Sequence, residues 1–215
     1  MKTCATYALA ISAVVALVFS AGCPEQSEPE ALSQMGQDMM DESDTMPPPE
    51  LAGGETHEEE SLMVRSSAFN EGDRIPTEYT ADGEGISPPL EFSGVPDDAV
   101  ALALVMHDPD APRAGGFTHW VVYHMSPDIS KLPEGIPGAE VVEDHALTQG
   151  ENSRGDIGYT GPAPPKGDEP HRYQFTLYAL SEKLDLAPGA TKEELESAMQ
   201  GKIVDQTTLT GMYGR

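Results

Sequence analysis

The hydrophobic and polar positions of residues 62–215 predict a domain built mainly from β-strands. Residues 99–107 are almost continuously apolar, which is typical of a strand covered on both faces. Residues 118–125 are rich in aromatic and β-branched side chains, and residues 172–180 alternate apolar and polar positions. Residues 203–213 have the character of a final strand. Because strands do not alternate regularly with helices, we predict a mainly β fold of two packed sheets.

Only one helix is strongly indicated, and it begins after Thr191. Thr191 and Glu194 have the spacing of a capping box, and Gly201 suits the left-handed position after a helix end. The apolar face of this helix consists of Leu195, Ala198 and Met199.

Three shorter segments precede the strong strands. Residues 62–64 and 90–92 are predicted as short strands, and residues 75–80 are predicted to be extended.

The first 22 residues read as an export signal. Lys2 precedes an uncharged run of 13 residues, 7–19, which is too short to span a bilayer as a helix, since that takes about 20 residues. Ser20-Ala21-Gly22-Cys23 resembles the lipobox of a bacterial lipoprotein, although Ser20 stands where Leu is usual. We therefore expect an exported protein anchored in the bacterial cell envelope by lipid on Cys23. A plain secretory signal, giving a soluble periplasmic or secreted protein, is the alternative.

The chain has a formal net charge of −25, and this charge is divided between two regions. Residues 23–61 hold 12 Asp and Glu and no Lys or Arg, so they are predicted to form a disordered acidic tether. Residues 62–215 hold 25 Asp and Glu against 11 Lys and Arg. Nucleic-acid binding is not expected, because it requires a basic stripe.

Both cysteines, Cys4 and Cys23, precede the predicted domain. A disulfide framework, a cysteine nucleophile and a cysteine-rich zinc site are therefore excluded for residues 62–215.

Three motifs in the domain could carry chemistry. The first is Asp108-Pro109-Asp110-Ala111-Pro112, a stiff loop at the end of a buried strand. Taken by itself, this motif predicts only a turn in which the Asp side chains accept hydrogen bonds from nearby backbone N–H groups. His119 lies on the next strand, five residues from His124, so the two histidines should face opposite sides and only one should reach a pocket. Residues 158–180 join a rigid Gly/Pro loop to a strand on which His171 and Tyr173 share a face, an arrangement suited to an oxyanion.

These motifs, in this order, resemble the phosphatidylethanolamine-binding protein family, in its bacterial branch of Raf-kinase-inhibitor-like proteins. Ile86-Ser87-Pro88-Pro89-Leu90 and Ala198-Met199-Gln200-Gly201 extend the likeness over nearly all of residues 62–215. The resemblance implies two antiparallel sheets with a small anion-accepting pocket at one end. It assigns the lining of that pocket to Asp108, His119, Gly161, Pro162, His171 and Tyr173.

The resemblance also implies two bracing residues. Asp110 would brace its loop, and Arg172 would tie the pocket loop to the 108–112 turn by a buried pair. A carboxylate facing a phosphate is repulsive, so either Asp108 orients a histidine donor or a histidine is protonated near its ordinary pKa of about 6.5. If a histidine is protonated, anion binding should strengthen as the pH falls from about 8 to 6. Asp168 and Glu169 add negative charge beside His171, which favours a zwitterionic ligand over a strongly anionic one.

We therefore expect a non-catalytic binding protein for a phosphorylated or zwitterionic group, such as a phospholipid headgroup, with no cofactor and no metal. A module that binds a protein partner or inhibits a protease is the alternative. A phosphoester hydrolase is less favoured, because no nucleophile motif is evident.

Overall fold

The structure is a computed structural model that describes residues 61–215. The predicted signal peptide, Cys23 and the acidic tether up to residue 60 lie outside the described residues. Within them the chain forms nine strands, one α-helix and two 3₁₀ helices, at Thr77–Tyr79 and Glu143–His145. The strands are β1 (Met63–Arg65), β2 (Leu90–Ser93), β3 (Ala101–Asp108), β4 (Phe117–Met125), β5 (Lys131–Leu132), β6 (Val141–Val142), β7 (Leu147–Gln149), β8 (His171–Leu180) and β9 (Ile203–Tyr213).

The strands form two antiparallel sheets, which confirms the predicted fold class. The smaller sheet has the order β1-β2-β5, and the larger has the order β6-β7-β4-β3-β8-β9. The main core lies between them, where Leu90 and Phe92 of β2 join the same apolar cluster as Leu104 of β3 and Phe175 of β8. The alternation predicted for residues 172–180 is present, since Tyr173, Phe175, Leu177 and Ala179 are all fully buried.

The helix, α1 (Lys192–Met199), covers the other face of the larger sheet. Its capping box is present, because the Thr191 hydroxyl accepts from the Glu194 N–H while the Glu194 carboxylate accepts from the Thr191 N–H. Leu195 and Met199 pack against Val105 in a second apolar cluster. Strand β3 is therefore buried on both faces, as its continuous apolar run predicts.

The prediction of an extended segment at residues 75–80 is wrong in its second half. Thr77–Tyr79 is a turn of 3₁₀ helix, which follows Pro76 at a φ of −57°. Both the N–H and the hydroxyl of Thr80 donate to the Thr77 carbonyl and so close this turn. The backbone of Thr77 also passes so close to Gly83 that no larger residue would fit at that position.

Two irregularities in β4 decide where its histidines point. Met106 pairs with Trp120 while His107 pairs with Thr118, so His119 is an extra residue in β4 at a bulge. A second shift lies near His124, which has a φ of +59° and bonds to the Leu184 carbonyl on the α1 side. None of the helices between residues 61 and 215 has the length and apolar character needed to cross a bilayer.

Candidate functional site

A pocket opens at one end of the larger sheet, where β3 ends and where β4 and β8 begin. Because neighbouring strands are antiparallel, Asp108, His119, His171 and Tyr173 all reach this end. The pocket has a volume of about 400 Å³. The loop 160–165 forms its remaining wall and contributes Gly161 to the lining.

Asp108 and His171 form a buried pair on the floor of the pocket. His171 Nδ1 lies 2.8 Å from Asp108 Oδ2, and both residues are at most 5% exposed. Because a carboxylate can only accept, the His171 Nδ1–H is the donor. The second oxygen, Oδ1, accepts from the Asp110 N–H at 2.9 Å. The sequence leaves two explanations for a carboxylate beside an anion site: Asp108 orients a histidine donor, or a histidine is protonated. The hydrogen bond between Asp108 and His171 is the contact that the first explanation requires.

His119 is a neutral acceptor in the same floor. Its Nδ1 lies 2.7 Å from the Thr160 carbonyl, which can only accept, so the proton is on Nδ1 and Nε2 carries a lone pair. Burial lowers the pKa of His119 to about 4, even though the hydrogen bond to Thr160 opposes the shift. With this lowered pKa, His119 gains no proton between pH 8 and 6 in the ligand-free protein, so His119 is not the histidine that the protonation hypothesis requires.

Tyr173 places an unsatisfied donor against the pocket. Its side chain is fully buried, and its hydroxyl has no hydrogen-bond partner among the described residues. Burial, and after it the charge of the nearby Asp108 carboxylate, raises the pKa of this hydroxyl, which keeps it protonated. The ring meets His119 edge-on at 5.2 Å between centroids. Since buried polar groups are almost always paired, this hydroxyl is available to an acceptor in the pocket, next to the Asp108 carboxylate with which it makes no hydrogen bond of good geometry.

The Gly/Pro wall differs from the prediction at one residue. Gly161 lines the pocket, and a Cβ there would lie 2.7 Å from the Ala81 nitrogen, so only glycine fits. Pro162 is buried but does not line the pocket, and its carbonyl accepts from the Ala81 N–H. Ala163, Pro164 and Pro165 provide the rest of the lining on this wall.

The outer side of this wall is held by Arg215. Its Nε donates to the Pro164 carbonyl at 2.8 Å, and its guanidinium also reaches the Ala163 carbonyl and the Asp82 carboxylate. The wall is thus fixed from outside, which leaves its apolar side toward the pocket.

The predicted contact between Asp110 and Arg172 is present, but it is not buried. Arg172 Nη2 lies 2.6 Å from Asp110 Oδ1, while the two side chains are 53% and 30% exposed. The guanidinium and N–H of Arg172 lower the pKa of Asp110 to about 2. The pair lies at the surface because Arg172 occupies the outward-facing position of β8.

Neither Asp168 nor Glu169 lines the pocket, but Asp168 lies near His171, which does. Asp168 Oδ2 lies 4.0 Å from Nε2 of His171. His171 therefore has a carboxylate near each ring nitrogen, of which Asp108 is the closer.

Two arginines at the pocket mouth were not predicted from the sequence. Arg113 and Arg154 both line the pocket, in loops that leave β3 and β7. Arg113 directly follows the Asp108–Pro112 motif, and this position in an acidic domain was the available signal. Arg154 lies far along the chain in an ordinary turn, and only the folded structure brings it to the pocket. Across residues 61–215, no cluster of three His, Cys, Asp or Glu side chains is placed to hold a metal ion.

Comparison with known proteins gives consistent results. A family model described as phosphatidylethanolamine-binding protein matches residues 65–214. The chain is 48% identical over 154 residues to a UPF0098 protein of Methanothermobacter thermautotrophicus, covering 72% of this chain and 99% of that protein. A crystal structure of a phosphatidylethanolamine-binding protein homolog from Chlamydia trachomatis matches with 42% identity and a TM-score of 0.65, over 72% of this chain and 98% of that one. Escherichia coli YbcL, described as a member of the mammalian PEBP family, matches with 28% identity and a TM-score of 0.65, over 73% and 99% of the two chains.

Proposed function

The chain belongs to the phosphatidylethanolamine-binding protein family, and on that premise we propose that its domain is a non-catalytic binding protein for a small phosphorylated or zwitterionic group. The observation that carries this proposal is the Tyr173 hydroxyl, which is buried, protonated and unpartnered among the described residues while it lines the pocket. A phosphoryl oxygen is an acceptor that would satisfy it.

The two carboxylates near His171 favour a ligand that also carries a positive group. Asp108 engages Nδ1, whereas Asp168, 4.0 Å from Nε2, competes with a bound oxyanion for a proton on that nitrogen. Because Nδ1–H already donates to Asp108, Nε2 donates to an oxyanion only when the ring carries a second proton, and an ammonium group beside Asp168 would relieve the competition for that proton. The zwitterionic headgroup of a phospholipid combines both charges.

Calorimetric titration of the full chain with O-phosphoethanolamine tests the binding function. We expect Tyr173→Phe to weaken binding about tenfold, because a hydrogen bond to a charged acceptor contributes roughly 1.5 kcal/mol. Tyr178→Phe is the matched control, since Tyr178 lies on the same strand but packs in the cluster under α1. Equal affinity in wild type and Tyr173→Phe would contradict the proposed role of the hydroxyl.

A second pair of variants tests the preference for a zwitterion. Asp168→Asn should strengthen binding of inorganic phosphate about threefold, because the competing negative charge is removed. The ratio of the affinity for O-phosphoethanolamine to the affinity for inorganic phosphate should therefore fall. Glu169→Gln removes the same charge one residue away and should leave the preference unchanged. Release of phosphate from a phosphoester by the wild-type protein, abolished in Asp108→Asn, would instead support an enzyme.

We also propose that the domain is held at the bacterial cell envelope by a lipid on Cys23, with the acidic segment 23–61 as the tether. This part of the proposal rests on the Ser20–Cys23 motif and on the composition of the segment.

A further inference from the structure

Two arginines, Arg113 and Arg154, line the mouth of the pocket. Arg113 Nη1 reaches the carbonyl of Ser153 at 3.4 Å, and Ser153 immediately precedes Arg154. Both arginines line the same pocket as Tyr173 and His171. Two cationic side chains in the lining of one pocket favour an anionic group there.

Carboxylates of the chain do little to offset these charges. Arg113 makes no ion pair within 4.0 Å among the described residues; it lies over the ring of Phe117 instead. Arg154 approaches only Asp156, at 3.7 Å, and both side chains are more than half exposed. Such a surface pair contributes little to stability, so the Arg154 guanidinium remains available to a ligand. Glu151 and Glu193 share a neighbouring cleft with Arg113, beyond ion-pair distance.

The rest of the pocket strengthens interactions with these guanidinium groups. Between the polar floor and the mouth, the lining is apolar and comes from the two proline-containing loops and Phe117. A charged ligand group held there is partly removed from water, so its attraction to an arginine is stronger than at an open surface. The volume of about 400 Å³ is large enough for a phosphate group together with the organic group attached to it.

We propose that Arg113 and Arg154 bind a carboxylate, so that the preferred ligand class is a phosphorylated amino acid. The inference rests on the proposed function, since it adds a third contact to that site. The phosphate lies at Tyr173 and His171, the ammonium beside Asp168, and the carboxylate at the two arginines. The same three groups occur in a free phosphoamino acid and in a serine phospholipid headgroup, and both sources have the chemistry required here.

Calorimetric titration of the full chain with two matched probes tests this inference. O-phospho-L-serine differs from O-phosphoethanolamine only by a carboxylate, and we expect it to bind about fivefold more tightly, as for an ion pair near solvent. The double variant Arg113→Gln/Arg154→Gln should lose this preference, and the ratio of its affinities for the two probes is the quantity to compare, because the loss of two charges lowers the affinity for both phosphate groups alike. The preference should also decline as salt is added, because the arginines are exposed.

The control is Arg65→Gln/Lys131→Gln, which removes two exposed positive charges from the smaller sheet, outside the pocket. It should retain the preference. Equal binding of the two probes, or a preference that survives in Arg113→Gln/Arg154→Gln, would overturn the inference and leave the proposed function standing. Failure of O-phosphoethanolamine itself to bind would overturn the proposed function.

A second pair of probes identifies the source of the ligand. Glycerophosphoserine and glycerophosphoethanolamine carry the phosphodiester of a lipid headgroup, whereas the first pair are monoesters. A preference for serine among the diesters supports recognition of a lipid headgroup. A preference confined to the monoesters supports recognition of a free phosphoamino acid. Absence of the preference in both pairs overturns the inference.

Discussion

His119 illustrates how one added residue changes the chemistry of a side chain. In a regular strand it would face the α1 side with Val121, but the bulge places its ring against Tyr173 in the pocket. There it loses contact with water, and Thr160 fixes which nitrogen carries the proton. A charged imidazole is costly to bury when no carboxylate contacts it, so the ring stays neutral.

Stability should therefore fall on acidification through the titration of His119. The unfolded residue gains a proton near pH 6.5 while the folded one does so at about 4, so the unfolded state binds more protons between these values. The free energy of unfolding should be at its full value above pH 6.5 and decrease by about 3 kcal/mol on reaching pH 4. Urea denaturation across this range measures the loss.

Comparison with His119→Gln isolates this contribution, because half-buried His107 also has a lowered pKa and adds a loss of the same sign. Asp110 titrates lower, with its loss between about pH 3.8 and 2. His119→Gln should have a flatter profile between pH 6.5 and 4, whereas His145→Gln, on a surface turn, should follow the wild type. An identical slope in His119→Gln and wild type would contradict the burial argument.

At the scale of the elements, predictability follows length. The strands β3, β4, β8 and β9 have eight or more residues and show their pattern clearly, so sequence alone locates them. Strands β5, β6 and β7 have two or three residues, too few to show a period, and they were not predicted, whereas the short strands β1 and β2 were predicted from residues 62–64 and 90–92. The 3₁₀ turn at Thr77–Tyr79 depends on a close approach to Gly83 that only tertiary structure creates.

The helix α1 was predictable because its start signal is local. The reciprocal hydrogen bonds between Thr191 and Glu194 occupy N–H groups that the helix itself cannot pair. Thr191→Ala should lower the free energy of unfolding by about 1 kcal/mol, whereas Thr191→Ser keeps the hydroxyl and should have little effect. Equilibrium urea denaturation of both variants tests this, and an equal loss in the two would show that the hydroxyl is not the stabilising group.

At the scale of the whole molecule, the candidate site is a product of topology. Sequence motifs named Asp108, His119, Gly161, His171 and Tyr173, and antiparallel pairing brings them to one end of the larger sheet. The motifs could not distinguish Pro162, which is absent from the lining, from its neighbours in the wall. They also missed Arg113 and Arg154, because forty residues of chain separate two positions that meet only after folding.

The charge distribution of the chain bears on where this pocket operates. If Cys23 carries lipid, the domain is linked to the membrane through the acidic segment 23–61, whose negative charge opposes binding of the segment itself to anionic lipids. Expressed from the full sequence in a bacterial host, wild-type protein should sediment with membranes and incorporate a labelled fatty acid. Cys23→Ser should lose both properties, since one acylated residue supplies the apolar chains needed for stable anchoring. Cys4→Ser, at the other cysteine, should behave as wild type.

Two outcomes would contradict the lipid anchor at Cys23. If Cys23→Ser sediments with membranes without incorporating the labelled fatty acid, the anchor lies elsewhere. If the wild-type protein is released without label, the signal is an ordinary secretory one.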